Sequence, residues 1–231
     1  MLVYQTQNND PFNGDTAGPA AAAILTGLGH NVTSDIALGA TLPADLSSFD
    51  SIWVIQLVPI TGVQQTALAN FVRAGGGLYL TGERACCEAV NAGNQYLLNE
   101  LTPDITQIGN EGEGGDLFTA GDDTWSITTT PNAVPTWLTG EAGLADMIPA
   151  VNQVYNHANG KTGAAAWAGE ELNEAAGCVY LAMDLSWWFP TVHPEQDKSL
   201  VAENIQTFLG GCADSDGDGL TDVGEDTAGT D

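Results

Sequence analysis

Asp214, Asp216 and Asp218 alternate along the chain, Gly219 follows them, and Asp222 and Glu225 complete the spacing Asp-x-Asp-x-Asp-Gly-x5-Glu. A hard cation the size of calcium takes roughly six to eight oxygens at about 2.3–2.6 Å, and this spacing supplies them from one loop. The three aspartates offer single oxygens, and Gly219 permits the sharp turn. On this pattern the backbone carbonyl of Leu220 is expected to contribute at the seventh position, Asp222 directly or through water, and Glu225 with both carboxylate oxygens. An acidic disordered tail has no need of carboxylates at those positions or of a glycine at the turn. Calcium is therefore the expected cofactor, held by Asp214, Asp216, Asp218, Leu220, Asp222 and Glu225.

The bulk composition agrees with a cation partner and disfavours others. Thirty acidic residues face four basic ones, Arg73, Arg84, Lys161 and Lys198, for a formal charge of -26 over 231 residues. Such a surface repels phosphate backbones and anionic lipid. No apolar run approaches the length of a membrane span, and a strand pattern begins directly after Met1, which leaves no space for a signal peptide within this chain. An exported, extracellular or cell-surface protein whose export signal lies elsewhere is the expectation.

Strands and helices alternate ahead of the loop. Leu2 to Gln5 reads as a first strand, and Asp15 or Thr16 can cap a helix running through the alanines to Leu28, closed by Gly29. Ser51 to Leu57 is a buried strand, followed by a helix over about Gly62 to Ala74 and a glycine stop at Gly75, Gly76 and Gly77. Leu78 to Thr81 and Cys178 to Met183 read as further strands, and Ser199 to Leu209 as an amphipathic helix. Strands separated by helical crossovers predict an α/β fold, a mostly parallel sheet with helices on both faces. The stretch 107–177 breaks the rhythm. It is rich in Gly, Thr, Asn and Trp, carries alternating runs such as Thr124 to Thr128, and reads as a β-rich insertion with long loops. The expected organisation is a domain over 1–212 and a calcium-binding segment over 213–231.

The order of elements, with FVRAGGGLYLTGE after a strand and GCVYLAMD ahead of AENIQTFL, resembles the class I glutamine amidotransferase-like fold, a flavodoxin-like architecture, in a divergent exported branch. The resemblance implies a Cys nucleophile at a strand-to-helix elbow and a His-Pro-Glu near the C-terminus. His193, Pro194 and Glu195 reproduce the second element. The elbow reads Gly82, Glu83, Arg84, and Cys86 and Cys87 come too late for a Gly-x-Cys-x-Gly turn whose amides would stabilise an oxyanion. No catalytic residue is assigned on that account. The alternative is an exported hydrolase or amidotransferase-like enzyme acting at the carboxyl-end crevice near Glu83, Asp184 and His193.

Other polar groups are candidates for that crevice or for ordinary turns. Asn8, Asp10, Asn13 and Asp15 follow the first strand, and Glu83 and Asp184 end later ones, which is where ligands bind in open α/β sheets. A second acidic patch, Glu111, Glu113, Asp116, Asp122 and Asp123, sits among glycines and reads as a mobile loop. Trp187 and Trp188 are either a carbohydrate-stacking platform or part of the core. Strand direction brings Cys178 and Cys212 to the amino end of the sheet and predicts a disulfide there. Cys86 and Cys87 lie at the other end, about 20 Å away, as a vicinal pair or free thiols.

The segment DSDGDGLTDVGEDTAGTD resembles a thrombospondin type 3 repeat, a calcium-stiffened connector, with Gly229, Thr230 and Asp231 opening a further repeat. The sequence therefore points to a calcium-binding structural or adhesion module, joined through its tail to another copy or to a following domain. A head-to-tail contact of that kind gives a filament unless it closes a ring.

Overall fold

A computed structural model describes residues 1–6, 16–35, 41–83, 87–102, 111–114, 117–173 and 176–212. Among the described residues eleven strands and four α-helices follow one another. The first half of the chain runs β1 (Leu2–Gln5), α1 (Ala17–Gly27), β2 (Thr33–Asp35), β3 (Ser51–Ile55), α2 (Val63–Arg73), β4 (Gly77–Thr81) and α3 (Glu88–Leu101). The strands β5 (Glu111–Gly114), β6 (Leu117–Ala120), β7 (Thr136–Leu138), β8 (Glu141–Leu144), β9 (Gln153–His157) and β10 (Thr162–Ala168) come next, then β11 (Cys178–Ala182) and α4 (Lys198–Gly210). No described helix is long and apolar enough to cross a membrane.

Nine strands form one sheet in the order β2-β1-β3-β4-β11-β10-β9-β6-β7, and β5 pairs with β8 separately. From β2 to β11 every pairing is parallel. From β11 to β7 every pairing is antiparallel. The predicted α/β architecture is present, and the β-rich stretch within 107–177 supplies four strands that continue the sheet past β11.

Burial on both faces explains the near-continuous apolar strands of the parallel half. Leu2, Ile52, Val54, Leu78, Leu80, Val179 and Leu181 point to the face covered by α2 and α3. Their neighbours Val3, Trp53, Ile55, Tyr79 and Tyr180 point to the face covered by α1 and α4. On that second face register places Trp53 beside Tyr79 and Tyr79 beside Tyr180. The rings of Trp53 and Tyr79 stack at 4.3 Å and those of Tyr79 and Tyr180 at 5.8 Å. Gly77 starts β4 where a Cβ would lie 2.3 Å from Leu209 O, so only glycine lets α4 pack this close.

Cys178 and Cys212 are bonded, with Cα atoms 5.7 Å apart. The bridge ties the first residue of β11 to the end of α4 at the amino end of the parallel strands, as strand direction predicts. Closing a loop of 34 residues restricts the unfolded chain by about 3–4 kcal/mol.

Two expectations need correction, and one pair of alternatives is decided. Thr124 to Thr128 is not a strand: the Asp123 carboxylate accepts from Ile127 N at 2.8 Å, Thr128 N at 2.7 Å and Thr128 Oγ1 at 2.6 Å, and folds the run into turns. Asp123 is accordingly a fixed anchor and not part of a mobile acidic loop, and burial raises its pKa against the opposing effect of those bonds. Trp187 and Trp188 are 1% and 0% exposed and offer no platform for a sugar. Trp188 Nε1 donates to Tyr79 Oη at 2.8 Å beneath α1.

Candidate functional site

The surroundings of the carboxyl ends of β1 and β3 are built from neutral amides and hydroxyls. Gln5, at the end of β1, accepts from Gly18 N at 2.7 Å, an approach that a Cβ on residue 18 would block. Thr6 Oγ1 accepts from Leu57 N at 2.9 Å and Val58 N at 3.0 Å and donates to Val58 O. Gln56, which follows β3, donates to Thr81 O at 2.9 Å and to Asn94 Oδ1 at 2.6 Å, while its own N–H reaches Thr81 Oγ1 at 2.7 Å. Asn94 returns a bond to Thr81 O at 2.9 Å. From α2, Gln65 donates to Ile60 O at 3.0 Å and Gly93 O at 3.1 Å and accepts from Gly62 N at 2.9 Å. Each of these buried groups is bonded, as burial requires, and no charge is left among them.

The elbow after β4 follows the same pattern. Asn91 Oδ1 accepts from Glu83 N at 2.8 Å and Asn91 Nδ2 donates to Glu83 O at 2.6 Å, so one side chain clamps both backbone groups of Glu83. Glu83 is 9% exposed and Asp184 5%. The parallel register that matches Thr81 with Ala182 brings these two carboxylates to the ends of neighbouring strands, as expected. Asp184 caps the 3-10 turn Leu185–Trp188 by accepting from Ser186 N at 2.7 Å and Ser186 Oγ at 2.8 Å. The β5–β8 pair roofs this corner. A Cβ on Gly143 would lie 2.0 Å from Met183 O and 2.7 Å from Glu83 O, so the roof rests directly on the backbone of both strand ends.

His193 lies in a loop against the residues after β7. Its Nδ1 is 2.9 Å from Glu195 Oε1 and its Nε2 is 3.2 Å from Thr139 O, so both ring nitrogens have acceptor partners, neither of them Ser186 or Asp184. Its φ of 43° places a non-glycine residue in the left-handed region. Lys198 Nζ donates to Phe189 O at 2.5 Å. Burial lowers its pKa to about 8, against the opposing pull of Glu195.

The structure thus places Glu83 and Asp184 just past the ends of neighbouring strands and engages His193 with Glu195 and Thr139. Arg84 and Cys86 of the elbow, the crevice candidates Asn8, Asp10, Asn13 and Asp15, and Asp116 lie outside the described residues. So do all six proposed calcium ligands, Asp214, Asp216, Asp218, Leu220, Asp222 and Glu225. Among the described residues no group of three or more His, Cys, Asp or Glu side chains could hold a metal ion. Sequence reasoning missed Gln56, Asn91 and Asn94, together with the whole of α3. The signal lay in Leu97, Leu98 and Leu101, at positions i, i+1 and i+4, with Val90 two turns before them on the same face.

No protein-family model and no curated protein matches the chain. Two solved structures share its fold. A cytoplasmic protein from Salmonella typhimurium, STM3548, superposes with a TM-score of 0.57 at 15% identity, covering 82% of this chain and 85% of its own. A ThuA-like protein from Bacteroides uniformis superposes with a TM-score of 0.51 at 10% identity, covering 93% and 92%. The fold is accordingly α/β, of the class I glutamine amidotransferase-like kind.

Proposed function

We propose that the chain is an exported calcium-binding structural module, in which an amidotransferase-like α/β domain is the scaffold and residues 213–231 form a thrombospondin type 3-like joint to a second copy or a following domain. The observation that carries the reading is the spacing of Asp214, Asp216, Asp218, Gly219, Asp222 and Glu225, which supplies oxygen ligands from one loop. Two features of the scaffold support it. Carboxamides bonded to one another and to the backbone fill the ends of β3 and β4. The Cys178–Cys212 bridge secures the chain immediately ahead of the segment and suits an oxidising compartment.

At a net charge of -26, contact between like subunits is unfavourable unless cations intervene. Calcium at the joint meets that need. Calorimetry on the full chain should show calcium uptake that Asp216→Ala with Asp218→Ala removes. Uptake that survives the double substitution, or none in the native chain, ends the reading.

A second reading, an exported hydrolase or amidotransferase-like enzyme, rests on two buried carboxyl residues, Glu83 and Asp184, at adjacent strand ends beside the Gly143 roof. It requires ammonia release from glutamine, or hydrolysis of a related amide, that disappears in Glu83→Gln. The structural reading expects no such activity.

A further inference from the structure

The outermost strand on the antiparallel side is β7. Its pairing with β6 decides which backbone groups face away from the sheet. Phe118 stands opposite Trp137, and Ala120 N donates to Pro135 O at 2.9 Å. Residues 135 and 137 therefore direct their hydrogen-bonding groups at β6, and Thr136 and Leu138 direct theirs outward.

At Leu138 one side chain takes both outward groups. Leu138 N donates to Gln196 Oε1 at 2.8 Å, and Gln196 Nε2 donates to Leu138 O at 2.8 Å. A carboxamide bonded in this way stands in for the peptide unit of a tenth strand. The strap that carries it is fastened at several points. Gln196 N donates to His193 O at 3.0 Å, and His193 Nε2 reaches Thr139 O. A Cβ on Gly140 would lie 2.9 Å from Val192 Cγ1, so Val192 sits tight against the chain leaving β7. His193 holds a left-handed backbone conformation that opening of the strap would relax.

We infer that residues 193–196 guard a self-complementary pairing edge, and that the partner they exclude is β7 of a second copy of this chain. Antiparallel pairing of β7 with itself about a two-fold axis needs no other strand, and it closes at a dimer. Thr136, Trp137 and Leu138 carry no charge, so pairing β7 with itself sets no like charges of the strand against each other in two strongly acidic copies. The Trp137 ring is buried at 2% exposure, which leaves the outward backbone groups as the main source of affinity.

Light scattering on the full chain in chelator and moderate salt separates this from calcium-driven assembly. The native chain should be monomeric. Gln196→Ala should dimerise with rising concentration, at least tenfold more readily than the native chain. Adding Thr136→Pro to that variant should restore the monomer, because proline removes an outward N–H and leaves the bonds of Trp137 to β6 in place. Gln196→Met, which keeps the stem of the side chain and loses both bonds, serves if the alanine variant does not fold. Variants that stay monomeric at every concentration, or that dimerise despite Thr136→Pro, overturn the inference.

Discussion

In the parallel half of the sheet, buried carboxamides bond to one another and to strand ends, as Gln56, Asn94 and Thr81 do. In the antiparallel half, several buried polar atoms lack protein partners: Trp137 Nε1, Thr139 Oγ1, Asn156 Oδ1, Trp167 Nε1 and, at the seam, Tyr180 Oη and Trp187 Nε1. The difference follows from construction. Strands covered on both faces place polar groups only at their ends, where helices can carry matching amides to them. The antiparallel half instead lays aromatic rings over the small residues Ala164 and Ala166, with Trp187 meeting Trp137 at 5.5 Å and Tyr155 at 5.9 Å. The β9–β10 register also shifts, at Thr162/Ala164 and again at Ala164/Ala165. One half is specified by complementary bonds and the other by the packing of large rings.

Alkaline pH applies the strongest stress to that contrast. Burial raises the pKa of Tyr79 in the parallel half, Tyr180 at the seam and Tyr155 in the antiparallel half. A phenol with a raised folded pKa binds its proton more tightly in the native state, so stability is intact below the ordinary value near 10 and falls above it. Each of the three contributes about 1.4 kcal/mol per pH unit in that window. Absorbance at the phenolate band should therefore rise together with cooperative unfolding. If Tyr155→Phe removes an early phase while the far-ultraviolet signal persists, the antiparallel half opens separately from its neighbour.

Single polar groups should then separate the two halves. Asn94→Leu removes an acceptor of Gln56 and a donor to Thr81 O in the buried network and is expected to lower stability by about 1–3 kcal/mol. Tyr180→Phe deletes a hydroxyl that has no protein partner, and its effect should stay within about 0.5 kcal/mol of zero. Denaturant midpoints at unchanged slope measure both. Equal losses would show that the contrast in hydrogen bonding is not a contrast in energy.

The parallel half was legible because its signal is local. Apolar runs at Leu2, Ser51, Leu78 and Cys178 each become a strand of that half, and the glycine stop after α2 is a left-handed Gly75. Helix α3 was not legible, since Asn91, Gly93 and Asn94 sit on its buried face and interrupt the apolar stripe with groups whose partners lie elsewhere in the sequence. The extension of the sheet past β11 depends on pairings such as Phe118 with His157, which no local window contains. Thr124 to Thr128 has the alternation of a strand, and a single carboxylate, Asp123, outcompetes that preference. Of the candidate site, Glu83 and Asp184 could be placed because strand ends are predictable. Gln56 looked like the continuation of a strand, and its bond to Asn94 became visible only once α3 lay over it.

The disulfide at the root of the C-terminal segment also sets a mechanical path. A pull on the chain beyond Cys212 is delivered through the bridge to Cys178, the first residue of β11. Helix α4 lies inside the covalent ring and bears none of that load, so it cannot be peeled away turn by turn. β11 sits between β4 and β10 near the middle of the sheet, bonded along both sides. Tension on the tail therefore meets two rows of hydrogen bonds at once, at the strand the fold holds on both flanks.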